Sequence, residues 1–189
     1  ADPSRHGHAR GESAVYGDVA RPRQLDHEEF ELIVAGHPRF GHDGRPAEFS
    51  MEELARRLRA QGRRALEGLA GDFALAAFDR RSGRGLLAID RIGVHHLVYS
   101  RTSGALVFGT SLDLVGGHPG VRRTLSQQAL YDYVYYHVVP GPRTIYEDCL
   151  RVPPGHCVEF GPQAPTEPVA YWTMQFNEDE RDGVDRLKQ

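Results

Sequence analysis

Apolar positions along this chain come in short, dense runs separated by polar punctuation. "FELIVAG" (Phe30–Gly36) is a compact apolar run closed by Gly-His-Pro, which predicts a buried strand. Ser50-Met-Glu-Glu53 has the form of a capping box, and Met51, Leu54, Ala55 and Leu58 follow it at helical spacing. Gly62 ends that helix, and "RRALEGLAG" predicts a short second one. Four short strands follow, over Phe73–Phe78, Leu86–Ile89, Leu97–Tyr99 and Ala105–Phe108. The turn signals Arg-Ser-Gly and Thr-Ser-Gly separate two pairs of them, a spacing that suits an antiparallel meander. These strands are apolar on both faces, so their sheet should be covered on both sides. Ser126 caps a helix in which Leu130, Tyr133, Val134 and Val138 share a face, and Tyr133 reads as core. Pro140 stops that helix. "HCVEF" and "PVAYW" read as a closing hairpin. Residues 1–29 read as irregular, with a short strand near Ser13–Tyr16, and the charged tail Asn177–Gln189 reads as a linker or frayed end.

Strands, helices, antiparallel strands, a helix and a hairpin, in that order, argue for an α+β sandwich with sheets packed between helices. No Gly-x-Gly-x-x-Gly follows a strand, which argues against a parallel dinucleotide fold.

Composition narrows the function classes. The chain has 189 residues, 40% hydrophobic and 26% charged, with a net charge of −3. That balance gives no general affinity for nucleic acid. Lys188 is the only lysine, and the arginines are scattered among acids and form no patch. The two cysteines, Cys149 and Cys157, make neither a disulfide framework nor a zinc signature, so a reducing, cytoplasmic setting is the simplest expectation. No apolar run reaches the roughly 18 residues of a membrane span, and no signal peptide opens the chain. The start lacks methionine, as a processed, engineered or truncated end would. Ten histidines invite a metal reading. His6 and His8 lie in the polar amino terminus, and His37 and His42 flank a turn, so solvated loop histidines are the expectation; a zinc site needs ligands converging from a rigid frame. His95 and His96 are consecutive, and in a strand they would point to opposite faces, one buried and one exposed.

Several ordered landmarks carry a resemblance. "LEGLAGDFALAAFD", "LLAIDRIGVHHLVYS", "LVFGTSLDLV", "YDYVYYHVVPGPRTIYEDCLRVPPGH" and the final "AYW" resemble, in the same order, the amino-terminal glutaminase domain of the asparagine synthetase family. That domain is a class II glutamine amidotransferase with the N-terminal-nucleophile (Ntn) hydrolase fold. The resemblance runs from Phe30 to Trp172 and implies a four-layer αββα sandwich of antiparallel sheets. It implies a glutaminase-like domain over residues 1–172, with 173–189 leading toward a synthetase domain that is absent. No Ser-Gly-Gly-x-Asp-Ser pyrophosphate loop occurs, so Mg-ATP belongs to that other domain and this chain needs no cofactor or metal of its own. The implied partner is a synthetase domain in cis or in trans; neither nucleic acid nor membrane is expected, and homo-oligomerisation is left open.

The family's chemistry needs a cysteine as residue 1, whose thiolate attacks the glutamine amide while its own amine handles the proton. Here residue 1 is Ala1, and Cys149 and Cys157 are internal and read as buried small hydrophobes. The family's Asn-Gly-Glu motif supplies oxyanion donors and a carboxylate for the substrate amine. Its counterpart is Ala35-Gly36-His37, in which only Gly36 fits. An aspartate that pairs with the substrate amine falls at Ser50, which reads as a helix cap. For the arginine that clamps the substrate carboxylate, Arg21 and Arg23 are the nearest candidates. Asp90-Arg91 matches the family's Asp-Arg pair and is either an ion pair that locks the Gly93 turn or faces the partner domain. Arg143, Tyr131 and Tyr135 are further candidates for interdomain contact.

Two readings result. In the first, the chain is the glutaminase-like domain of an ATP-dependent amide-forming enzyme that has lost glutamine hydrolysis, as β-lactam synthetases and lasso-peptide cyclases have. In the second, it is a stand-alone, non-catalytic module that holds a partner protein or peptide. An active glutaminase would need a cysteine preceding or replacing Ala1.

Overall fold

The computed structural model describes residues 22–27, 29–41, 48–102, 105–161, 164 and 167–175. Ala1, Arg21, His6, His8, His42, the Ser13–Tyr16 strand and the tail therefore lie outside the described residues.

The element order is β1 (Arg23–His27), β2 (Phe30–Gly36), β3 (Arg39–Phe40), α1 (Met51–Gln61), a 3-10 helix (Gly62–Gly68), β4 (Leu69–Ala70), β5 (Phe73–Asp79), β6 (Arg84–Ile89), β7 (Val98–Arg101), β8 (Leu106–Gly109), α2 (Leu112–Gly116), α3 (Gln127–Tyr136), β9 (Leu150–Arg151), β10 (His156–Phe160) and β11 (Val169–Ala170). Six strands form one antiparallel sheet in the order β1-β2-β5-β6-β10-β11, and three form another in the order β8-β7-β9.

Strand alternation builds the layers. One face of the large sheet presents Leu32, Val34, Phe73, Leu75, Leu86, Ala88 and Cys157 to Leu54 and Leu58 of α1 and Leu66 of the 3-10 helix. The other face presents Ala74, Ala76, Leu87, Ile89 and Val158 to Leu97, Tyr99 and Val152, with Leu106, Phe108 and Leu150 packed alongside. The small sheet's outer face, Val98 and Val107, packs on Val115 and Leu112 of α2. The layers thus run helix, sheet, sheet, helix. Both faces of the large sheet are buried, which is why its strands read as unbroken apolar runs.

The meander is corrected in one respect. β5–β6 and β7–β8 are the predicted hairpins, yet β6 pairs with β10 and β7 with β9, so the four strands divide between two sheets. β1, in a stretch expected to be irregular, pairs with β2 over five residues from Arg23↔Val34 to His27↔Phe30. His95 and His96 lie in the loop between β6 and β7 and not in a strand; the split into a mostly buried and an exposed ring still holds.

Ser50 caps α1 as expected, accepting from the Glu53 N–H at 3.3 Å; such a cap contributes about 1 kcal/mol. The reciprocal half of the capping box does not form. Glu53 instead accepts from Arg56 Nε at 2.8 Å and Arg57 Nε at 2.6 Å, and these guanidinium bonds hold its carboxyl down to about 2. Guanidinium groups three and four residues on are stronger partners than one backbone N–H.

A second correction concerns α3. Ser126 caps it through the Ala129 N–H, but the chain leaves the helix at His137, in the left-handed conformation, before Pro140. The face expected to be core points outward: Leu130, Tyr133, Val134 and Val138 are exposed, and the residues turned inward are Ala129 and Asp132. Asp132 accepts from Gln128 Nε2 at 2.7 Å and lies 3.7 Å from Arg143 Nη1. A helix apolar nearly all round carries no periodicity that says which stripe faces the core.

Candidate functional site

The residues of the Ala35-Gly36-His37 stretch close the end of β2. Ala35 sits opposite Ala74 and Gly36 opposite Phe73, so this end of β2 abuts the turn into β5. That turn carries Gly71 and Asp72. His37 N–H donates to the Asp72 carbonyl at 2.7 Å. Gly71 has φ +90, and a Cβ there would strike the His37 carbonyl, so only glycine lets the two segments meet.

The Asp72 carboxylate gathers two imidazoles on one oxygen. Its Oδ2 lies 3.2 Å from His37 Nδ1 and 3.1 Å from His95 Nε2. Burial pushes the Asp72 carboxyl up, but hydrogen bonds from His95 and then His37 outweigh it and leave it below its ordinary value. The ring of His95 is 12% exposed and that of His37 83% exposed. With Nδ1 turned to the carboxylate, the rest of the His37 ring faces solvent.

The loop that delivers His95 is organised by Asp90. This carboxylate is 1% exposed and accepts from three backbone donors: Ile92 N at 3.1 Å and Val94 N at 3.0 Å on Oδ1, and His95 N at 3.0 Å on Oδ2. Asp90 locks the Gly93 turn through these backbone donors, and no ion pair between it and Arg91 occurs among the described residues. Sequence reasoning did not join Asp72 and His95 to His37, because the three are brought together from positions 35 and 23 residues apart. The one local signal was Gly71-Asp72 inside "LEGLAGDF".

The remaining candidates are placed as follows. Arg23 reaches the site: its Nη2 donates to the Gly36 carbonyl at 3.2 Å while its guanidinium lies 4.5 Å over Phe49. Ser50 stays at the head of α1, its hydroxyl also donating to Glu52 at 2.7 Å. Cys149 and Cys157 are fully buried in separate clusters. Burial pushes both thiols up, Cys157 to about 12 with Glu159 adding to the effect. A thiol so buried is a poor nucleophile. Both are expected to resist iodoacetamide in the native protein at mildly alkaline pH and to react fully in denaturant. Adduct counting by mass spectrometry checks this, and rapid alkylation of native Cys157 would contradict it. Among the described residues no group of three or more His, Cys, Asp or Glu is placed to hold a metal, and no helix among them is long and apolar enough to cross a membrane.

Three sequence landmarks converge elsewhere, where the described chain ends. The Gly155 N–H donates to the Asp90 carbonyl at 3.0 Å, and the Gly155 carbonyl accepts from Tyr171 N at 2.9 Å and Trp172 N at 3.1 Å. Tyr171 Oη donates to the Ile89 carbonyl at 2.6 Å. The Pro153-Pro154-Gly155 turn therefore ties the β6–β7 loop to the Tyr171-Trp172 segment that follows β11. Arg91 stacks 5.5 Å from the Trp172 ring and donates to the Glu67 carbonyl at 3.2 Å. A cavity of about 560 Å³ opens there, lined by Glu67, Ala170, Tyr171, Trp172, Thr173 and Gln175. Arg143 bridges to Leu150 through its backbone and to Asp132 through its side chain. Tyr131 and Tyr135 stack on each other at 6.3 Å on the exposed side of α3.

No curated protein matches this sequence. Among solved structures, one described as the allosteric regulatory enzyme of purine biosynthesis is 16% identical with a TM-score of 0.45, over 85% of this chain and 32% of its own. Glutamine phosphoribosylpyrophosphate amidotransferase from B. subtilis, solved with ADP and GMP, gives the same identity and score over 85% of this chain and 33% of its own. This chain thus spans about a third of the length of those proteins. A family model described as a glutamine amidotransferase domain matches residues 48–172, which begins beyond the Gly36–His37 stretch and takes in α1, Asp72, the Asp90 loop and the Pro-Pro-Gly turn. This chain belongs to the glutamine amidotransferase domain family.

Proposed function

We propose that this chain is the glutaminase-like domain of an asparagine-synthetase-type, ATP-dependent amide-forming enzyme, and that the domain does not hydrolyse glutamine. The observation that carries the second part is the end of β2. Ala35 is buried and has no side-chain donor for an oxyanion, and loss of one such donor costs on the order of 10²–10³ in rate. By the resemblance His37 replaces the carboxylate that would meet the substrate ammonium, and its ring is engaged by Asp72. Both described thiols are buried away from that stretch.

In this reading a synthetase half, in cis or in trans, binds Mg-ATP and activates a carboxylate, and the amine comes from the acceptor substrate or from ammonia. The Arg91–Trp172 corner is where that half would dock. There Arg91 stacks on Trp172 beside the cavity lined by Glu67, Tyr171, Trp172 and Thr173. Arg143, turned toward Asp132, has less to offer such a contact.

The test is ammonia release from glutamine by the intact protein, measured with a coupled dehydrogenase. The expected result is no release above the protein-free blank. Multiple turnovers would overturn the proposal.

A further inference from the structure

We propose that α3 opens as a unit of its own while both sheets stay folded, and that it is where a protease selective for large apolar side chains cuts the native chain. The inference stands independently of whether the domain hydrolyses glutamine. It begins with what the helix buries. In Gln127–Tyr136 only Ala129 and Asp132 are buried. Every residue from Tyr133 to Val138 is exposed, so the second half of the helix has no packing to hold it. A helix this short is marginal in water, and in proteins such helices are held by burial of one face. Composition adds little. Gln127, Gln128, Ala129 and Leu130 are good helix formers, but Tyr133, Val134, Tyr135 and Tyr136 are weaker ones. The Tyr131–Tyr135 stack at 6.3 Å is an i, i+4 pair, which adds only a small increment.

The anchors lie at the two ends. Upstream, Ser126 N–H donates to the Ile145 carbonyl at 2.9 Å and Glu147 N–H to the Thr124 carbonyl at 3.0 Å. Downstream, the Val139 carbonyl accepts from Arg151 Nη1 at 3.3 Å. Between them, among the described residues, one side-chain ion pair ties the helix to the rest of the chain, Asp132 to Arg143 at 3.7 Å. His137 ends the helix at φ 58, a left-handed conformation that a side chain enters at a cost. Opening α3 therefore relieves strain at His137 and gives up one buried methyl group and one long ion pair. The three clusters of buried apolar residues contain no residue of α3, so they keep their contacts when it opens. Segments of this kind open locally, at a free energy far below that of the whole domain.

Brief chymotrypsin digestion of the full native chain, with the products mapped by mass spectrometry, tests this. The first cut among the described residues should follow Leu130, Tyr131, Tyr133, Tyr135 or Tyr136; Phe30, Phe40, Phe73, Tyr99 and Tyr171 are buried and should be spared. The cutting rate follows the open population. His137→Gly removes the left-handed cost, so it should slow that cut about 5-fold. Amide hydrogen exchange in up to about 2 M urea gives a second reading. Peptides over 130–138 should exchange at least ~100-fold faster than those over β5, and nearly independently of urea, because local opening exposes little surface. A first cut elsewhere among the described residues, or an unchanged rate in His137→Gly, would overturn the proposal. So would α3 peptides as slow and as urea-sensitive as β5, which would show the helix bound into the cooperative fold.

Discussion

Asp90→Ala is expected to destabilise the domain by about 3–5 kcal/mol, because one substitution strands three backbone N–H groups that the carboxylate now satisfies. Each buried donor left without a partner costs about 1–3 kcal/mol, and relaxation of the loop toward water recovers part of it. The effect should spread. The Asp90 backbone accepts from Gly155 and donates to Phe73, so it joins β5, the β6–β7 loop and the Pro-Pro-Gly turn. Loss of the loop would also release His95 from Asp72. Asp90→Asn is the graded control. Its oxygen can serve Ile92 and Val94, but its amide turns a donor toward the His95 N–H, so about 1–3 kcal/mol should be lost. Urea unfolding at neutral pH, followed by circular dichroism, measures both. If Asp90→Ala lies within about 0.5 kcal/mol of wild type, in the range of ordinary surface changes, the carboxylate does not organise this loop.

Gly36→Ala is the second large effect, at about 3 kcal/mol or more. Two costs add at this position. Gly36 has φ +88, outside the region open to side chains, and a built Cβ would meet the Asp72 carbonyl and lie 2.5 Å from His95 Nε2. Gly62 separates the two costs. It has φ +58 and ψ −138, but a Cβ there meets nothing within 4 Å, so Gly62→Ala should lose only the backbone cost of about 1–3 kcal/mol. At 2–4 °C per kcal/mol for a domain of this size, Gly36→Ala should melt about 6–12 °C below wild type. Equal melting temperatures for the two variants would show that the β2 terminus is not closed against Asp72 and His95.

Much of the fold was legible in the residues. The runs Phe30–Gly36, Phe73–Phe78 and Leu86–Ile89 were strands because strands covered on both faces need no polar alternation. The caps at Ser50 and Ser126 were readable because an N-cap is a local bond between a hydroxyl and the N–H three residues on. Pairing beyond adjacent hairpins was not readable. Turn residues announce β5–β6 and β7–β8, whereas β2–β5 and β6–β10 join segments with a helix or more between them. The site divided in the same way. Ala35, Gly36 and His37 could be singled out by comparison with a motif, but Asp72 and His95 had no motif to mark them. Asp90 was singled out for the right turn with the wrong partner, since nothing in a sequence tells a carboxylate whether an arginine or three amides will reach it first.

The chain itself determined which segments are extended, where the helices start, and that no thiol lies in the Ala35–His37 stretch, because each of these follows from neighbours a few bonds apart. Tertiary structure decided how the strands divide between two sheets, which side of α3 meets water, and that His37, Asp72 and His95 share one carboxylate oxygen. Those outcomes depend on surfaces competing for burial across the whole molecule, and a residue's own neighbours in the chain carry no record of who wins that competition.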